Sequence, residues 1–184
     1  MQPGAKKDKI RKGKGKSTEK EKRKGRKSMK YVATLLAVKD MERSKCFYCE
    51  VLGLEVVEDL GENVTLTGGI SLQTLSTWKD FVHKQEEEIV FAHNAGEIYF
   101  EEENLEEFCD RLALFPDIVY VHPLFEHSWG QRAVRFYDLD GHIIEVGESI
   151  ASVVKKFVAG GLTLEETAIR MDVPLAYARS WLTQ

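Results

Sequence analysis

Apolar and polar positions along the chain fall into short, strand-length runs separated by Gly, Asp and Asn, with helix-period stretches between some of them. The first run, "YVATLLAVKD", is rich in β-branched and aliphatic residues and predicts a strand. Asp40 is placed to N-cap a helix over roughly Met41 to Val51, and Gly53 to end it. "LEVVED", "NVTLTGG" and "ISLQTL" then read as three further strands. The order strand, helix, strand, strand, strand recurs. "GEIYFEEE" is a strand, Asn104-Leu105-Glu106-Glu107 starts a helix over about Leu105 to Leu114, and "DIVYVHP", "AVRFYD" and "HIIEVGE" follow as strands. Placing Asp40 on Asn104 and Gly69–Gln73 on Gly141–Glu145 brings the halves into register, so the chain predicts an α+β fold of two βαβββ units, about 29–78 and 94–149.

Beyond residue 149 the pattern is helical. "SVVKKFVAGG" predicts a helix ending at a Gly pair, Thr163-Leu164-Glu165-Glu166 a capping box, and Pro174 the first turn of a third helix, "PLAYARSWL". Residues 150–184 thus form a helical appendage whose end resembles a helix-turn-helix, with Ala168 and Val173 as turn-packing positions. Arg179 is the only cation of the would-be recognition helix, and Glu165 and Glu166 precede it, which argues against nucleic acid as a partner.

Charge separates a leader from the body. Residues 1–28 hold 13 of the 26 basic and 3 of the 30 acidic residues, leaving 13 basic against 27 acidic in the rest. The leader has almost no apolar residue and cannot fold alone. It reads as a phosphate-binding tether, as a solubilising tail, or as an in-frame ribosome-binding leader that is not translated, with Met29 the true start. No apolar run is long enough to span a bilayer, and the leader lacks the apolar core of a secretory signal. Cys46, Cys49 and Cys109 suit a reducing compartment, so a cytoplasmic location is expected, and the C-x-x-C lies in a helical pattern that favours half-buried thiols.

"D-M-E-R-S-x-x-F-Y-x-x-V-L-G-L" early and "R-F-Y-D-L-D-G-H-I-I-E" late, set in paired βαβββ units, resemble the vicinal oxygen chelate superfamily, which includes glyoxalase I, extradiol dioxygenases and the fosfomycin- and bleomycin-resistance proteins. The resemblance covers about residues 29–149 and points to a small bacterial glyoxalase/bleomycin-resistance-like member, often a homodimer. It implies a curled mixed sheet around a cavity, with four inward residues holding a divalent metal. Carried over, those positions are Ala33, Gln73, Glu97 and Glu145. Ala33 cannot ligate. The three oxygen donors left suit Mg or Mn better than Zn, with Mg, Mn, Ni or Zn as the possible divalent metals, and no organic cofactor is implied.

Period-2 alternation turns Glu145 inward, and a three-residue loop Leu139–Gly141 sets Arg135 opposite it, so a guanidinium could neutralise the carboxylate instead of a metal. Gln131 shares that face and Arg132 does not. Trp129 beside Gly130 offers an aromatic wall, His122 and His127 lie near it, and Tyr99 follows Glu97 on the same face. His142 is turned away, and His83 and His93 fall in a polar connector. Three functions follow as expectations. The first is a glyoxalase-like, metal-assisted lyase or isomerase with Glu145 and Glu97 catalytic. The second is a metal-free protein sequestering a small aromatic or anionic compound through Arg135, which could hold a carboxylate or phosphate, with Gln131, Trp129 and Tyr99. The third is a regulator acting through the tail.

Overall fold

The computed structural model describes residues 29–182; the leader expected over 1–28 lies outside them. The first repeat comprises β1 (Thr34–Val38), α1 (Met41–Glu50), β2 (Val56–Asp59), β3 (Asn63–Leu66) and β4 (Ile70–Thr74). An additional helix, α2 (Leu75–Val82), follows it. The second repeat is β5 (Glu97–Glu102), α3 (Leu105–Leu112), β6 (Val119–Glu126), β7 (Arg132–Tyr137) and β8 (Ile143–Glu148). Three helices close the described chain: α4 (Ile150–Ala159), α5 (Leu164–Arg170) and α6 (Leu175–Leu182).

The helix starts follow from local chemistry. The Asp40 side chain accepts from the Arg43 amide, and Asn104 accepts from Glu107. Gly53, at φ 68°, turns the chain out of α1 while its amide still reaches the Cys49 carbonyl. Thr163 and Glu166 cap one another at the start of α5. Helix α2 was not expected. "LSTWKDFV" carries Leu75, Trp78 and Val82 at helical spacing, but the run is so short that it reads as a strand end and a connector.

Each repeat forms an open four-stranded mixed sheet, ordered β1-β4-β3-β2 and β5-β8-β7-β6, with its first and last strands parallel. One core joins them. Leu36, Val38, Tyr48, Val64 and Leu72 of the first repeat pack in the same cluster as Leu105, Phe108, Val134, Phe136 and Ile144 of the second. Phe136 meets Phe47 of α1 and Phe108 of α3, at 6.5 and 6.3 Å between ring centroids. Helices α1 and α3 therefore share the space onto which both sheets turn their apolar faces, and the polar faces look away. Burying each such side chain stabilises the fold by roughly 1.5–3 kcal/mol before entropy is charged.

A buried polar link crosses the same junction. The Tyr48 hydroxyl donates to Asp138 at 2.8 Å, and Asp138 also accepts from the amides of Asp140 and His142 and pairs with the His142 ring. These donors hold the Asp138 carboxyl below its ordinary range against the opposing effect of burial, while burial and the Asp138 charge push the Tyr48 hydroxyl up. His142, turned away from Glu145 as the alternation requires, has this structural role. The C-terminal helices build a second, smaller cluster from Val153, Val154 and Met171, with Phe157, Leu164, Val173 and Trp181 against it. Ala168 is buried at the α5–α6 turn, where its carbonyl accepts from Val173.

Candidate functional site

The face of the second sheet turned away from the apolar core gathers most of the polar residues singled out in the sequence. It is outward from that core, and is the face expected to line a cavity as the inward one, with Glu145 and Gln131 buried in it. Glu97 and Tyr99 stand on β5, Arg135 on β7 and Glu145 on β8, because each alternates with a core residue: Ile98, Phe100, Val134 or Phe136, and Ile144 or Val146. The expected loop forms, with Asp138 and His142 closing it and Gly141 at φ 88°, and Arg135 sits directly across from Glu145.

Arg135 is the hub. Its Nε donates to Glu97 at 2.8 Å, its Nη2 pairs with Glu145, and its Nη1 faces the ring nitrogens of His122 at 3.1 Å and His127 at 3.4 Å. The guanidinium holds the Glu97 carboxyl below the usual range, whereas burial and the nearby Glu97 charge raise that of Glu145. Burial and the Arg135 charge lower His127, favouring its neutral ring. Two carboxyl groups thus converge on one cation, and their environments push their proton affinities apart.

The network continues into an aromatic wall. His127 and Trp129 stack with centroids 4.2 Å apart and planes 2° from parallel. The Trp129 indole donates to Gln131 at 3.1 Å, and the Gln131 amide donates to the Tyr99 hydroxyl at 2.9 Å and to the Glu148 carbonyl at 2.8 Å. Burial moves Tyr99 up to about 12, so it stays a protonated phenol, donating to Glu101 at 3.1 Å. Gly147 makes room for this arrangement, since a Cβ there would lie 3.1 Å from Gln131 Nε2 and 3.3 Å from the Tyr99 ring. Arg132 points to the other face and pairs with Glu148 and Glu106.

Gln73 lies apart from this cluster, on the first sheet. Its carbonyl accepts from Asn63 at 2.8 Å and its amide donates to Thr77 of α2 at 2.5 Å. Ala33 precedes β1 and is half-buried. Strand pairing assigns the place of Glu97, opposite Ile143, to Leu35, opposite Ser71. Counting back from the helix caps reaches Ala33 instead, because the first repeat arrives at its cap two residues sooner. Either residue is aliphatic. The expected donors do not fit a divalent ion as they stand: Gln73 is held by amide and hydroxyl partners, and Glu97 and Glu145 by a guanidinium. Among the described residues no three His, Cys, Asp or Glu side chains are grouped to hold a metal.

His122 joins the site although alternation did not assign it there. Two register shifts in β6, on either side of His122, break the period from which a facing would be read. The cysteines are free, with Cys46 exposed and Cys49 and Cys109 half-buried. Among the described residues no helix is long and apolar enough to cross a membrane.

Residues 31–151 match the family described as the glyoxalase-like domain, and the chain belongs to that family. Among solved structures it is similar to a protein of unknown function from Agrobacterium tumefaciens str. C58, at 35% identity over 67% of this chain and 97% of that one, with a TM-score of 0.59. A glyoxalase-related enzyme from Fulvimarina pelagi (19% identity, 66% and 89% covered, TM-score 0.54) shares the fold. So does a glyoxalase/bleomycin resistance protein/dioxygenase from Nocardioides (15%, 70% and 89%, TM-score 0.52). No curated protein matches the sequence.

Proposed function

We propose that this chain binds a small planar aromatic molecule on the outward face of its second sheet without a metal, Arg135 supplying the fixed cation. The carrying observation is the clamp of Arg135 between Glu97 and Glu145 beside the stacked His127 and Trp129. The sequence left open that Arg135 grips an anion. With its guanidinium committed to two carboxyl groups, the face has acidic capacity to spare and favours a ligand carrying hydrogen-bond donors or positive charge. Trp129 and Tyr99 supply ring surface, and Gln131 holds both.

Proflavine, a planar aromatic cation, and naphthoate, a planar anion, separate the possibilities. Proflavine is expected to bind and to weaken about tenfold in Glu97→Gln. Binding of naphthoate alone overturns the reading. Elemental analysis of gently purified protein is expected to find no stoichiometric metal. Metal present in the wild type and lost in Glu145→Gln would restore the metal-assisted lyase.

One observation favours a second reading, proton transfer. Glu97 is held ionised while Glu145 retains its proton more tightly, the division of roles a general acid–base pair needs. The reading includes a homodimer. Strand β6 is an eight-residue edge with Val119, Val121, Leu124 and Phe125 exposed, a surface that a second copy would cover. Light scattering is expected to give twice the chain mass; a monomer mass removes the dimer and leaves the ligand reading to the titrations.

A further inference from the structure

We propose that the C-terminal helices are a working part of the ligand face, with Phe157 as the positioning residue that sets the Trp129 wall. The proposal rests on the ligand site assigned above. The turn from His127 to Gln131 is closed by two backbone bonds, His127 N–H to Gln131 O and Gly130 N–H to His127 O, both 2.8 Å. It carries three residues of the network, and α4 and α5 grip it from behind. The Phe157 ring lies against Gly130 so closely that a Cβ at that position would collide with it, and Gly130 sits at φ 90°. Lys156 Nζ donates to the Gly130 carbonyl at 3.1 Å and reaches Glu148 at 3.3 Å, the residue whose own carbonyl holds Gln131. Arg170 of α5 donates to the Ser128 carbonyl. The Lys156 ammonium and the Arg170 guanidinium lie over the same Phe157 ring, at 5.6 and 5.7 Å from its centroid.

The backbone of Ser128, Trp129 and Gly130 is thereby tied to the cluster that Phe157 shares with Val153, Val154 and Met171. A tight turn has few contacts of its own to fix a large indole. With Phe157 packed against Gly130, the turn holds Trp129 where its ring stacks on His127 and its N–H meets Gln131. Apart from the first two residues of α4, the appendage lies outside the family match, which ends at residue 151, so this support is an addition to the matched domain.

The test reads the Trp129 indole N–H resonance in the full chain, assigned by its loss in Trp129→Phe, together with proflavine titration. Phe157→Ala is expected to move that resonance toward the solvent-exposed position and to weaken proflavine about tenfold, with Phe157→Leu restoring most of both. Gly130→Ala, which drives a methyl into the ring from the other side, is expected to move the same resonance while α4–α6 stay folded. An unmoved Trp129 resonance in both Phe157→Ala and Gly130→Ala overturns the proposal, whatever happens to thermal stability. Should proflavine fail to bind the wild type, the ligand reading falls, and the indole resonance still decides whether Phe157 sets Trp129.

Discussion

The two repeats place different chemistry on the same hairpin. Asn63 lies across from Gln73 in the first sheet just as Arg135 lies across from Glu145 in the second, each pair bonded side chain to side chain. A neutral amide pair needs little support, and one hydroxyl, Thr77, completes it. An ionic pair removed from water needs more, and Glu97, His122 and His127 gather around Arg135. The same backbone tolerates both because β-pairing fixes where side chains meet and is indifferent to what they are. The contrast sets the charged cluster, on which the proposed ligand site rests, in the second repeat.

Removing the cation should separate the halves most sharply. Arg135→Met is expected to cost about 3 kcal/mol near neutral pH, because Glu97 and Glu145 are left facing one another unneutralised. Denaturant melts should show the loss shrinking near pH 5, where a proton can replace the guanidinium. A loss that is the same at both pH values would show that packing, not charge, holds the cluster. Arg135→Asn combined with Glu145→Gln copies the first hairpin onto the second. It should recover about 1–2 kcal/mol of the Arg135→Asn loss, and strict additivity would break the comparison.

Gln73→Ala should cost about 1–2 kcal/mol, since it takes from the Asn63 amide its side-chain acceptor, but with no pH dependence between about pH 5 and 8. Glu145→Gln should change stability least, by roughly 0.5 kcal/mol or less near neutrality. Its signature lies in the pH profile. The folded state holds the Glu145 proton more tightly than the unfolded state, so this group lowers stability as pH rises from the ordinary carboxylate range through its raised value. Glu97 works oppositely, its contribution present above the ordinary range and lost as pH falls through its lowered value. Glu145→Gln should remove the first slope and keep the second.

Much of this was legible in the sequence, for identifiable reasons. Caps at Asp40 and Asn104, the Gly141 loop and the alternation around Glu145 are local signals, and they gave the strands, the helix inside each repeat and the Arg135–Glu145 contact, but not α2. Whatever depended on broken periodicity or on distance escaped. The bulges of β6 concealed where His122 points. The two-residue offset before α1 misplaced the counterpart of Glu97. The Tyr48–Asp138 bond joins residues 90 positions apart, and no pattern in either repeat announces it.

That bond and the common core carry a consequence for how the chain can be divided. Neither repeat keeps its helix covered without the other, so an isolated half has no reason to be stable. Between them runs an exposed stretch beginning at His83, which already adopts a left-handed backbone at φ 55°. Severing the chain after Lys84 should therefore yield two fragments, each unstructured alone, that reassemble on mixing, with Tyr48→Phe weakening their reunion.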